Sequence, residues 1–148
     1  GKGATLNGEP IHVSKTNEFE NAQFTVSPGP GKSTDVLTLN ETLKEIFPTG
    51  RFLKTSGDRE FGRGSMAAEF CYLACGRLDG FVRLNQKPWD VAAGVLIATE
   101  AGATMVNVEG HECDIYEGDY IAANPVLLPQ LVQKIHGLET KNIKRGTQ

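Results

Sequence analysis

One carboxylate in this chain stands where a metal ion or a phosphate group could bind. Asp90 lies in the segment Lys87-Pro88-Trp89-Asp90-Val91-Ala92-Ala93-Gly94, where an extended stretch gives way to small, helix-forming residues. Pro88 fits the start of a helix, and Asp90 suits an N-cap or first-turn position at the positive end of the helix dipole. An Asp at a helix start is more often a cap than a ligand, so the surrounding motifs must decide between the two roles.

Further motifs accompany the Asp90 segment in a consistent order. They are Gly1-Lys2-Gly3-Ala4, Asn7-Gly8, Val13-Ser14, Gly64-Ser65-Met66-Ala67-Ala68-Glu69-Phe70-Cys71-Tyr72-Leu73-Ala74-Cys75-Gly76, Leu78-Asp79-Gly80-Phe81, Glu100-Ala101-Gly102-Ala103 and Ile121-Ala122-Ala123-Asn124. In these motifs the chain resembles the C-terminal half of the inositol monophosphatase family, over nearly its whole length. The resemblance implies a Mg²⁺-dependent phosphomonoesterase that acts on a small phosphorylated alcohol or sugar, often as a homodimer inhibited by Li⁺.

Two motifs of that family do not occur in this sequence. They are the paired-glutamate motif and the Asp-Pro-hydrophobic-Asp-Gly-Thr motif of the N-terminal half, which supply most of the metal ligands. Asp90 alone matches a family metal ligand, and one carboxylate cannot hold the two Mg²⁺ ions that phosphate-ester hydrolysis uses. We therefore expect half an enzyme, inactive by itself, that lacks its N-terminal half. The alternative is a non-catalytic interaction module derived from the same family.

Two further positions are candidates for the substrate wall. The resemblance places the turn at Ser65 and Met66 against the alcohol part of the substrate, and backbone N–H groups at such a helix start favour anions. Arg83 lies seven residues before Asp90, where inositol-type members carry an acid that binds substrate hydroxyls. A guanidinium there favours a substrate with a second anionic group, the alternative being a strand-end cation that faces solvent. The predicted substrate-binding residues are Met66, Arg83 and Asp90. Three other acidic residues match family positions but have structural explanations, so we do not expect them to be catalytic. Asp79 suits a turn, Glu69 can pair along its own helix, and Glu100 lies at the end of the helix that begins near Asp90.

Composition narrows the class of partner. The 148 residues carry a formal net charge of −3, so the chain has no excess of Lys or Arg that would favour nucleic acid as a partner. No apolar run approaches the roughly 20 residues that span a bilayer, and no signal-peptide pattern opens the chain, so we expect a cytoplasmic protein without a membrane partner.

The cysteines fit a reducing compartment. Cys71 and Cys75 lie four residues apart on one face of a predicted helix, as small apolar residues. A zinc site would need two more ligands, and only Cys113 with His111 offers such a pair.

Alternating strand and helix patterns predict an α/β fold with a mixed sheet flanked by helices. The resemblance adds that this would be the C-terminal half of an αβαβα sandwich. We predict one domain over residues 1–139 and a polar tail over 140–148. The predicted helices cover residues 35–46, 65–75, 90–101 and 127–136, and a hairpin turns at Asn7-Gly8.

Overall fold

The computed structural model describes residues 1–27, 52–54 and 65–145 of the chain. In chain order they form β1 (Ala4–Leu6), β2 (Glu9–Ile11), a 3-10 turn (Phe19–Asn21), β3 (Phe24–Ser27), β4 (Phe52–Lys54), α1 (Met66–Ala74), β5 (Gly80–Arg83), α2 (Pro88–Glu100), β6 (Thr104–Val106), β7 (Tyr120–Ala123) and α3 (Leu128–Arg145). The predicted helix over residues 35–46 lies outside the described residues.

Five strands form one mixed sheet in the order β4-β3-β5-β7-β6. β3 runs parallel to both β4 and β5, with Phe24 opposite Gly80 and Ser27 opposite Arg83. β7 is antiparallel to β5 and β6. The central strands β5 and β7 are buried along their whole length, which explains their nearly continuous apolar sequences.

Helices cover both faces of this sheet. Successive side chains of a strand point to opposite sides, so each face has its own cluster of buried side chains. Phe81 and Tyr120 pack with Phe70 on the side of α1 and α2. Val82 and Ile121 pack on the other side, in the core cluster that includes Leu127, Leu128 and Leu131 at the start of α3. The predicted α/β class, a mixed sheet flanked by helices, is confirmed.

The hairpin of β1 and β2 forms a separate two-stranded sheet. Its turn residues Asn7 and Gly8 both have positive φ, at 54° and 88°, as predicted from the Asn-Gly pair. The backbone N–H of Val13 donates to the carbonyl of Ala101, 3.1 Å away, and joins the hairpin to the end of α2.

Two helix boundaries differ from the sequence prediction by more than one residue. α2 begins at Pro88 rather than Asp90, because Pro88 occupies the first helical position with its φ already suited to a helix. α3 continues to Arg145, nine residues beyond the helix end predicted at residue 136. Among the described residues, no helix has the length and apolar character to cross a membrane.

Candidate metal and phosphate site

Asp90 lines a pocket of ≈ 240 Å³ where the first turns of α1 and α2 meet. α1 contributes Ser65, Met66 and Ala67, and the segment leading into α2 contributes Gln86, Trp89 and Asp90. The two starts are far apart in sequence, and the packing of α1 against α2 brings them together. The structure therefore places two of the three predicted site residues, Met66 and Asp90, around one space.

The start of α1 is capped by a side chain from the pocket itself. Ser65 Oγ accepts a hydrogen bond from the backbone N–H of Ala68 at 3.4 Å, and its extended backbone marks it as the N-cap. The first N–H groups of a helix lack partners within the helix, and they carry partial positive charge. The wall formed by Ser65 to Ala67 is suited to an anion such as phosphate.

The start of α2 carries the carboxylate. Lys87 is the N-cap residue and makes no side-chain cap, whereas Asp90 is the acidic residue of the first turn and its side chain is exposed. The N–H of Asp90 donates to the carbonyl of Lys87 at 2.9 Å. The prediction that Asp90 occupies a first-turn position is confirmed, and its carboxylate is open to a cation from solvent.

A glycine of the same motif lets the two helices approach closely. Gly94 is buried against Phe70 of α1, and a Cβ on Gly94 would lie 2.5 Å from the ring carbon Cγ of Phe70. No side chain fits in that space without movement of one helix. Gly94 therefore helps to bring the two walls of the pocket together.

Met66 and Arg83 are both buried, at 4% and 2% exposure. Met66 lines the pocket but places its side chain in the core with Phe70, so its backbone is the part suited to a ligand. Arg83 does not line the pocket. Its guanidinium forms an ion pair with the carboxylate of Glu69, and the alternative of a cation facing solvent is wrong. The contact of Arg83 with a substrate stays a prediction.

Glu69 pairs across the fold rather than along its own helix. Its carboxylate binds Arg83 of β5 and accepts a hydrogen bond from the hydroxyl of Thr25 on β3 at 3.1 Å. The expected pairing of Glu69 along its own helix is therefore wrong, and the side chain instead forms a buried link between α1 and the sheet. Burial lowers the pKa of the Arg83 guanidinium, whereas Glu69 acts to raise it.

Asp79 and Asn124 link segments that are far apart in the sequence. Ser14 Oγ donates to Asp79 Oδ1 at 2.5 Å, and Asn124 Nδ2 donates to Ser14 Oγ at 3.0 Å. Asn124 Oδ1 also accepts the N–H groups of Val126 and Leu127 before α3 begins. Asp79 and Asn124 therefore have structural roles in this fold. Glu100 likewise accepts the N–H of Gly3 at 2.7 Å.

The cysteines take no part in the pocket. Burial raises the pKa of the Cys113 thiol to about 12, with further contributions from Glu117, Asp119 and Glu112, so Cys113 is a neutral thiol at physiological pH. A structural zinc site takes four ligands, and the candidate pair of Cys113 with His111 supplies two of them. In residues 1–27, 52–54 and 65–145, no group of three or more His, Cys, Asp or Glu side chains could hold a metal.

A larger apolar groove of ≈ 730 Å³ lies away from Asp90, between the hairpin and the outer faces of α1 and α2. Its lining includes Leu6, Ile11, Cys71, Leu96 and Ile97. Leu96 is 63% exposed and Leu6 is 46% exposed. An exposed apolar groove of this kind is typical of a surface that another protein segment covers. The smaller pocket has the polar side chains that binding of a cation or a phosphate requires.

The sequence motifs do not predict that Gln86 and Trp89 belong to the site. Trp89 is 79% exposed beside Asp90, although a large aromatic residue in an apolar motif is more often predicted to be core. Gln86 carries no pattern of its own, and only the packing of the turn before α2 brings it to the pocket. The pocket combines a carboxylate, an amide, a hydroxyl and two helix starts, a set suited to a hard cation together with an oxyanion.

Known proteins match this chain over about half of their own length. A sequence model of the inositol monophosphatase family matches residues 1–140. Inositol monophosphatase 1 of Solanum lycopersicum is 36% identical over 136 residues, covering 91% of this chain and 48% of the relative. The Nus factor SuhB of Vibrio cholerae is 34% identical over 136 residues, covering 91% of this chain and 48% of the relative.

The fold comparison agrees. An inositol monophosphatase structure from Anabaena superposes with a TM-score of 0.77 at 26% identity, covering 93% of this chain and 52% of that one. A Thermotoga maritima IMPase structure gives a TM-score of 0.73 at 25% identity, with 94% and 50% coverage. The chain spans about half the length of the curated relatives it matches.

Proposed function

This chain belongs to the inositol monophosphatase family, and we propose that it forms the C-terminal half of a Mg²⁺-dependent phosphomonoesterase for a small phosphorylated alcohol or sugar. The observation that carries this proposal is the placement of Asp90 and two helix starts around one pocket. The name of the tomato relative, inositol monophosphatase 1, supports this class of substrate.

The donor chemistry of the pocket fits one side of a Mg²⁺ site. Asp90 offers an exposed carboxylate, and oxygen donors are the ligands that Mg²⁺ prefers. Asp90 would hold the ion, and a bound Mg²⁺ would neutralise the phosphoryl group and lower the pKa of water. The start of α1 would orient the substrate through its N–H groups, and the remaining carboxylates would come from the N-terminal half. The isolated chain would therefore be inactive.

The apolar groove is the proposed contact surface for that missing half. A two-stranded hairpin is marginal without further packing, and here it borders exposed Leu96 and Ile97 of α2. The relatives are about twice as long as this chain, so the additional half is the occupant that best fits the groove. Assembly of the complete protein as a homodimer, in the cytoplasm, is also proposed.

Arg83 remains a proposed specificity residue of the complete enzyme. Because Glu69 neutralises it, a direct contact with an anionic substrate would require the pair to open. Arg83→Gln breaks the buried pair with Glu69 and should lower the melting temperature in either case. If the contact with substrate forms, Arg83→Gln also lowers kcat/KM for a substrate with a second anionic group more than for inositol monophosphate. If Arg83 has only a structural role, the ratio of the two kcat/KM values stays unchanged.

A second candidate function is a non-catalytic interaction module. The Vibrio relative is called a Nus factor, and in the part of the chain that the structure describes the pocket holds one carboxylate. The reading frame upstream of Gly1 discriminates the two candidates. An in-frame paired-glutamate motif and Asp-Pro-hydrophobic-Asp-Gly-Thr motif favour the enzyme, whereas a native start near Gly1 favours the module.

The metal assignment has a direct test in the chain itself. Trp89 is the only tryptophan of the sequence and lies beside Asp90, so it can sensitise the luminescence of Tb³⁺, a hard cation that prefers oxygen ligands. We expect weak, saturable Tb³⁺ luminescence that Mg²⁺ competes away and that Asp90→Asn abolishes. Glu9→Gln removes an exposed acid of the hairpin as a control and should change nothing. Equal luminescence in wild type and Asp90→Asn would refute the assignment.

A further inference from the structure

The turn before α2 is held by two consecutive residues of the loop that leads into β7. The carbonyl of Gly118 accepts the backbone N–H of Gln86 at 2.7 Å. The carboxylate oxygen Oδ1 of Asp119 accepts the backbone N–H of Asn85, also at 2.7 Å. Two successive donors of one turn are therefore bound by two adjacent residues, more than thirty positions away in sequence.

The contact at Gly118 depends on the absence of a side chain. Gly118 has φ at +82°, a conformation that other residues adopt with strain. A Cβ at this position would lie 2.6 Å from the carbonyl oxygen of Gln86 and 3.1 Å from its nitrogen. Any substitution would push the loop and the turn apart.

The held turn leads directly into the pocket. Asn85 has φ at +56°, so the chain changes direction there, and Gln86 lines the pocket. Lys87 and Pro88 follow, and Pro88 has a fixed φ, which leaves little freedom between the turn and Asp90. A shift of the turn would therefore move Gln86, Trp89 and Asp90 together.

From this geometry we infer that Asp119 and Gly118 are positioning residues, which set the orientation of Gln86 and Asp90 in the pocket without lining it. The metal-binding consequence rests on the proposed function, whereas the positioning itself does not. Residues that orient metal ligands typically change affinity by 10–100-fold when they are lost. Asp119 could also act simply as a negative charge near the cation, so the test must separate its hydrogen bond from its charge.

Asp119→Asn and Asp119→Ala make that separation. The amide oxygen of Asn can still accept the N–H of Asn85, whereas Ala cannot, and both substitutions remove the charge. Glu109→Ala is the matched control, because it removes an exposed acid from the same loop. Gly118→Ala disturbs the contact without changing any charge.

Two readouts in the 148-residue chain decide the proposal. Fluorescence anisotropy and acrylamide quenching of Trp89 report the order of the α2 start with no metal present, and Trp89-sensitised Tb³⁺ luminescence reports the affinity of the site. Far-UV circular dichroism confirms that each variant is folded. If Gly118→Ala does not fold, the Asp119 pair alone decides.

We expect Asp119→Ala and Gly118→Ala to lower the Trp89 anisotropy and to weaken Tb³⁺ binding about tenfold, the lower end of that range. Asp119→Asn and Glu109→Ala should stay within about twofold of wild type. Equal effects of Asp119→Asn and Asp119→Ala, or wild-type anisotropy in Asp119→Ala, would overturn the positioning role. If no Tb³⁺ signal depends on Asp90, the proposed metal site fails, and the Trp89 anisotropy still decides the positioning role.

Discussion

The carboxylate of Glu69 on α1 pairs with the guanidinium of Arg83 at the end of β5, and both side chains are almost fully buried. Thr25 adds a hydrogen bond from the neighbouring strand β3. The pair fixes α1, and with it one wall of the Asp90 pocket, to the sheet. Arg83, which the sequence suggests as a specificity residue, is therefore paired with Glu69 inside the fold.

Removing one partner of this pair should be costly. We expect Arg83→Met or Glu69→Met to lower the free energy of unfolding by about 3–5 kcal/mol, since each leaves a buried charge uncompensated. The double variant Glu69→Met/Arg83→Met should lose much less than the sum. Urea unfolding of the four proteins measures the coupling, with Glu9→Gln as an exposed control. Additive losses would show that the pair contributes no coupling energy.

Gly94→Ala should separate the two helices that build the pocket. The added methyl group meets the Phe70 ring, and overpacking of this kind costs about 1–3 kcal/mol despite the better helix propensity of Ala. Ala93→Ser, at an exposed neighbouring position, should cost less than about 0.5 kcal/mol. Thermal unfolding compares them. A Gly94→Ala variant as stable as wild type would mean that α1 and α2 adjust without strain.

The apolar groove should bind a hydrophobic dye in the isolated chain. Leu96→Gln, which places a polar group in the groove, should reduce anilinonaphthalene sulfonate fluorescence and any self-association seen by analytical ultracentrifugation. Val126→Gln changes a similarly exposed apolar residue that does not line the groove, and it should have no effect. A monomeric wild type that binds no dye would contradict the proposed contact surface and support an autonomous domain.

Stability should fall in alkaline solution because of the thiol of Cys113 and the phenol of Tyr120, the first residue of β7. Burial raises the pKa of both Cys113 and Tyr120 to about 12. The neutral forms favour the folded state, so their contribution is complete below the unfolded pKa values of about 8.5 and 10, and it is lost as pH rises toward 12. Urea midpoints measured across this range should fall less steeply for Cys113→Val/Tyr120→Phe. If the urea midpoints of wild type and of this double variant fell equally with pH, Cys113 and Tyr120 would not be the cause of the alkaline loss of stability.

Local signals in the sequence predict much of this fold. Asn7-Gly8 predicts the hairpin turn, where both residues have positive φ, and the segment around Pro88 and Asp90 predicts the helix start that is observed at Pro88. These features depend on a few neighbouring residues, so a single sequence carries them.

Features that depend on distant contacts could not be predicted in this way. The partner of Glu69 is set by how α1 packs on β5, and the partner of Asn85 is set by the loop before β7. No periodicity links residue 85 to residue 119. The position of Asp90 was predictable because a short motif carries it, whereas Gln86 and Trp89 joined the site only through packing.

Phosphate release tests the central claim most directly. It should be measured with Mg²⁺ and phosphomonoesters for the purified 148-residue chain, for the product of the complete reading frame, and for Asp90→Asn in each. We predict no turnover by the chain, Mg²⁺-dependent turnover by the complete product, and a loss of at least about 100-fold in its Asp90→Asn variant. Turnover by the chain alone that Asp90→Asn abolishes, or a complete product indifferent to Asp90→Asn, would contradict the account.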